Sequence, residues 1–117
     1  MNPLLIVLSN SRCAPGVHDQ PRALIQDWRM CQVNGHTHLA GFLANGFTCR
    51  VTTAVIAVNT ASRQIQTGSG RIYELDGPPT SNIQSLAVIN VRLRQLFGTI
   101  DADVTMNYWN SMQAAMS

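Results

Sequence analysis

The chain has 117 residues, 45% of them hydrophobic, and eight basic residues against six acids leave a formal net charge of +2. This is one domain's length, able to hide roughly two-thirds of the unfolded chain's surface without disulfides or a metal. It excludes a disordered charged tail, an acidic nucleic-acid mimic and a strongly basic nucleic-acid packager.

Taken in chain order, Leu4-Leu5-Ile6-Val7-Leu8 reads as a buried strand, with helix as the rival. The run is too short for a secretory core and lacks a basic flank, and no stretch reaches the length of a membrane span. Ser9 to Gly16 reads as loop, ending in Pro15-Gly16. Asp19-Gln20-Pro21 can start a short helix with Leu24, Ile25 and Trp28 on one side, switching to strand near Asp27. Asn34-Gly35 and Asn45-Gly46 are hairpin signals, because Asn-Gly adopts the positive φ angles of a type I′ turn. His36 to Leu43 lies between them. Phe47 to Val58 follows, with Phe47, Cys49, Val51, Thr53 and Val55 on one face and Thr48, Arg50 and Thr52 on the other. Its length predicts a bend or bulge.

Asn59 to Ser62 is a turn, Arg63 to Thr67 a short polar strand, Gly68-Ser69-Gly70 a tight link and Arg71 to Leu75 the next strand. Asp76-Gly77-Pro78-Pro79 ends the sheet. Ser81-Asn82-Ile83-Gln84 fits a capping box with Ser81 as N-cap. Ile83, Leu86, Ile89 or Asn90, Leu93 and Leu96-Phe97 keep helical spacing, and Gly98 is a stop. Asp103 or Thr105 caps a last helix holding Tyr108, Trp109 and Met112. The expected fold is one α+β domain over residues 1–117. An N-terminal strand, loop and short helix occupy 1–26. An antiparallel β-meander of about five strands, an open sheet or small barrel, occupies 27–75. A helical part occupies 81–117, its amphipathic helix packed on the sheet.

Charged residues are 12% of the chain, against about 25% in an average domain. Part of the surface is therefore neutral and polar, or is covered by a partner. Every basic residue is Arg: Arg12, Arg22, Arg29, Arg50, Arg63, Arg71, Arg92 and Arg94. Arg is enriched at interfaces, where Lys is depleted. Arg50, Arg63 and Arg71 on the sheet, with Tyr73 nearby, can form a modest patch for single-stranded nucleic acid. No interleaved aromatic pattern accompanies them, so this is the second reading. Tyr108 and Trp109, in a tail with Met106, Met112 and Met116, are interface-type residues that equally suit a core.

Three cysteines, Cys13, Cys31 and Cys49, argue against a disulfide framework and for a reducing cell interior. Cys31, His36, His38 and Cys49 would suit zinc chemically. However, no CxxC or HxxxH spacing is present, and a turn separates Cys31 from the histidines. No metal or other cofactor is expected. Cys13 and His18 are a Cys–His pair only in sequence, and the acids Asp19, Asp27, Glu74, Asp76, Asp101 and Asp103 sit at strand ends and caps. The expectation is therefore a chain without catalysis.

Thr67-Gly68-Ser69-Gly70-Arg71-Ile72-Tyr73-Glu74-Leu75-Asp76-Gly77-Pro78-Pro79, then a helix and Asp103-Val104-Thr105-Met106-Asn107-Tyr108-Trp109, resembles a loose group of small accessory proteins. These are carried by bacterial phages, prophages and plasmids. Trp28, Gly41-Phe42-Leu43, Asn45-Gly46 and Val51-Thr52-Thr53 are similar too, so the likeness covers roughly Trp28 to Trp109. It implies a mobile element in a bacterial cytoplasm. By analogy it also implies an inhibitor that occludes a host defence complex, as anti-CRISPR proteins do. The expected partner is a host protein complex such as a CRISPR effector. A homodimer is possible, nucleic acid is second, and no membrane is expected.

Overall fold

The computed structural model describes residues 21–116. The expected Leu4–Leu8 strand, the loop after it, the Cys13–His18 pair and the Asp19–Gln20 cap lie outside the described residues. The fold is α+β. In chain order it runs β1 (Arg22–Val33), β2 (His36–Leu43), β3 (Cys49–Asn59), β4 (Gln64–Thr67), β5 (Ile72–Asp76), α1 (Ile83–Phe97), β6 (Ala102–Asp103) and α2 (Thr105–Met116).

Strands β1 to β5 pair antiparallel in sequence, as the meander pattern predicts. Strand β5 then pairs parallel with the first half of β1, so the successive pairings return to their starting strand. The short β6 adds antiparallel to the far half of β1, at Cys31 and Gln32. Strand β1 is thus the hub of a six-stranded, mostly antiparallel sheet.

The helix expected from Pro21 to Trp28 is instead the start of β1. Asp27 takes a left-handed φ of 48°, and the register against β2 slips by one residue there. Ala23 and Ile25 point inward before this bulge, and Trp28 and Met30 point inward after it. An inserted residue in a period-two pattern imitates helical spacing, which is why Ile25 and Trp28 look like one helical face. Leu24, the third member of that face, is exposed.

Strand β3 carries two such slips, one opposite His38–Ala40 and one between Val55 and Ala57. Each flips the face of the following residues. Cys49 and Val51 therefore face outward under α1, while Val55 and Val58 join the inner cluster. The bulge predicted from the strand's length is present, and there are two.

Two apolar layers result. The inner one holds Ile25, Trp28, Met30, Leu39, Ile65, Tyr73 and Leu75. Helix α2 closes it with buried Met112, and half-buried Val104, Tyr108 and Trp109 pack alongside. The outer layer sets Ile89 and Leu93 of α1 on Cys31, Ala40 and Cys49.

The turns differ in how they follow their signals. Asn34 and Gly35 both have positive φ, 51° and 80°, as a type I′ turn requires. At Asn45-Gly46 only Gly46 is left-handed, so the expected type I′ turn is absent. The α1 cap is Asn82, not Ser81: its side chain accepts the Ser85 amide at 3.0 Å. Gly98 ends the helix with φ 80° and donates to the Arg94 carbonyl at 2.8 Å. Asp103 accepts the Thr105 amide at 2.9 Å just ahead of α2. Arg63 is no strand residue but a left-handed turn residue, φ 55°.

Candidate partner-binding surface

The residues singled out as a basic patch do not form one. Arg50 stands opposite Gly41 on β3 and is buried, 8% exposed; Arg71, in the β4–β5 link, is 5% exposed. Arg63 is half-buried at the other end of β4. Nε and Nη1 of Arg50 are out of contact with water and have no hydrogen-bond partner among the described residues. Arg22, exposed at the start of β1, has its Nη1 3.6 Å from Glu74 Oε1 on the neighbouring β5.

Tyr108 and Trp109 are drawn into the core. Trp109 meets Trp28 edge-on, centroids 6.0 Å apart at 68°. The Tyr108 hydroxyl donates to Thr37 Oγ1 at 3.4 Å.

The zinc set is scattered. Cys31 and His38 are cross-strand neighbours on β1 and β2. Cys49 is two strands away from Cys31, and His36 is exposed beside the hairpin turn. His38 is already engaged: Nδ1 bonds to the Thr52 carbonyl at 2.9 Å, and the ring lies 4.6 Å from that of Phe97. Among the described residues no three His, Cys, Asp or Glu side chains cluster as metal ligands. Burial pushes the Cys31 thiol up to about 11, with Asp103 adding to the rise and Arg29 opposing it. Burial likewise raises Cys49 to about 11, against the pull of Arg92. Both thiols are held protonated, the opposite of an activated nucleophile.

What the surface does offer is Phe47, 89% exposed in the β2–β3 loop. Sequence alternation placed this ring on the Cys49 face of β3, but the strand begins two residues later. The loop is well braced. Gly46 donates to the Leu43 carbonyl at 2.8 Å, and Leu43 donates to the Thr48 carbonyl at 2.9 Å. Asn45 Oδ1 accepts the Phe47 and Thr48 amides at 2.9 and 3.0 Å, and its Nδ2 donates to Thr48 Oγ1 at 3.0 Å. The signal was legible in part: an Asn that bonds to the backbone two residues on holds the next side chain out. No charged residue lies between Gly41 and Cys49 in the sequence, so the loop that carries the ring is itself neutral.

Helix α1 adds a second apolar exposure, with Ile83 at 82% and Val91 at 55%. Among the described residues no helix is long and apolar enough to cross a membrane. Comparison of the chain with family models, curated proteins and solved structures finds no match.

Proposed function

We propose that this chain is a non-catalytic protein-binding module of a mobile genetic element, acting in the bacterial cytoplasm to occlude a host defence complex such as a CRISPR effector. The observation that carries the binding reading is Phe47, an aromatic side chain almost wholly in water on a loop held by five hydrogen bonds. Aromatic side chains dominate binding energy at protein interfaces, and a loop ordered beforehand loses little freedom on docking. The mobile-element setting rests on the resemblance described above. The nucleic-acid alternative is weaker, because buried Arg50 and Arg71 cannot line a groove for phosphates.

The test expresses tagged protein in a bacterium with an active CRISPR system. Phage plating is measured, and nuclease-treated pull-downs are analysed by mass spectrometry. The expected result is restored plating and a stoichiometric effector subunit, both lost in Phe47→Ala, with the variant's thermal midpoint unchanged. Unaltered immunity, or recovered material that disappears on nuclease treatment, overturns the proposal.

A further inference from the structure

At the turn end of the β1–β2 hairpin, on the opposite end of β2 from Phe47, α2 leans across the strands and leaves an open cleft. Its volume is about 410 Å³, and Gln32, Thr37, Val104, Asn107, Tyr108 and Ser111 line it. This is within the usual size of small-molecule sites, roughly 300–1,000 Å³. Gln32 and Thr37 face each other across the hairpin, and Asn107, Tyr108 and Ser111 share one side of α2.

The lining has a consistent chemistry. Among the described residues it contains two carboxamides, three hydroxyls and one aliphatic side chain, and no carboxylate, ammonium, guanidinium or imidazole. Among the described residues neither the Gln32 nor the Asn107 carboxamide has a hydrogen-bond partner. Ser111 Oγ donates to the Asn107 carbonyl at 3.0 Å and keeps its lone pairs free. The Tyr108–Thr37 contact, at 3.4 Å, is long for two hydroxyls.

We infer that this cleft is a binding site for a neutral polyhydroxylated ligand, a monosaccharide unit. Each carboxamide presents a donor and an acceptor side by side, which matches the paired hydroxyls of a sugar ring. Hydroxyls arrayed around the cleft suit a ligand whose polar groups point in several directions. A nucleobase would need a broad stacking face, and the one ring present, Tyr108, is half-buried against the core. A charged ligand would find no counter-charge among the described lining residues. The site is independent of the Phe47 surface and does not depend on the inhibitor reading.

The experiment is a two-dimensional amide NMR titration of the full chain with methyl glucoside, methyl galactoside, methyl mannoside and N-acetylglucosamine, each separately, with adenosine and uridine as comparison ligands. The expected result is saturable movement of the Gln32, Thr37 and Asn107 signals by at least one sugar. A dissociation constant on the order of 1–10 mM is expected for so small a ligand. Asn107→Ala, on an exposed helical position, should weaken it by about tenfold. Gln32→Ala serves as the second variant, with its unligated spectrum confirming the fold. Shifts that stay linear with concentration, or that persist unchanged in both variants, overturn the site. Saturation by a nucleoside but by none of the sugars overturns the ligand class.

Discussion

Opposite Gly41, Nε and Nη1 of Arg50 are withdrawn from water and have no hydrogen-bond partner among the described residues. A buried donor without an acceptor costs about 1–3 kcal/mol, more when it is charged. Arg50→Met keeps the side chain's length and removes that cost. It is expected to raise the urea midpoint, by about 1–3 kcal/mol of stability, and a loss of stability would show that the guanidinium has a stabilising role. Asp103 presents the reverse case. Partial burial raises its pKa, but the hydrogen bonds from Thr105 and from Arg29, together with the Arg29 charge, outweigh this and hold the carboxyl below its ordinary value. The Arg29 Nη2 contact is 2.8 Å. A lowered folded pKa stabilises the fold fully above the unfolded value, about pH 4, and this is lost as pH falls through the folded value. Asp103→Asn should therefore be less stable than the parent at neutral pH, with the gap closing in acid. A gap that stays constant across denaturation curves at stepped pH would rule this out.

Among the elements, the β1–β2 pair is set by one glycine. A Cβ at Gly41 would stand 3.0 Å from the Gln26 carbonyl oxygen, from Ile25 Cγ1 and from Trp28 Cα, which are the residues around the Asp27 bulge. Gly41→Ala must push the bulged backbone away, and a loss of about 1–3 kcal/mol is expected by chemical denaturation. No change would mean that the bulge yields. These irregularities also mark where the elements were legible in sequence. The Asn34-Gly35 turn, the stop at Gly98 and the Ile89–Leu93 face depend on local chemistry and were readable. The course of β1 was not: its bulge is fixed by partners on β2 and β5, and a face shift by one residue leaves no local trace. The candidate site fared similarly. Arg50 alternates with Cys49 and Val51 as a solvent-facing residue would, but the returning pairings turn that face inward. Phe47 was visible as a residue, while its exposure depends on where β3 begins.

For the whole molecule, the two layers meet at β1, whose Cys31 faces α1 while its neighbour Met30 faces inward. Cys31 and Cys49 are 3% exposed beneath α1, and both thiols are pushed up to about 11. In a Cys13→Ser background they should resist a thiol-labelling reagent at neutral pH until α1 lifts from the sheet. Labelling would then follow the opening free energy rather than the chemical rate. Labelling as fast as that of the urea-unfolded chain would show that α1 is not held. The hub position of β1 also has a temporal meaning. Trp28 Nε1 donates to the Gly77 carbonyl at 3.0 Å, and the Trp28 carbonyl accepts the Thr80 amide at 3.1 Å. The Met30 amide donates to Thr105 Oγ1 at 2.8 Å, and the Met30 carbonyl accepts the Val104 amide at 2.9 Å. Partners for Trp28 and Met30 in β1 thus come from segments made much later, Gly77 and Thr80 for the first and Val104 and Thr105 for the second. During synthesis β1 leaves the ribosome long before Val104 and Thr105 do, so a nascent chain stalled ahead of them carries an incomplete strand. Folding to this arrangement therefore waits until Val104 and Thr105 have been made, and β1 is without these partners in the interval.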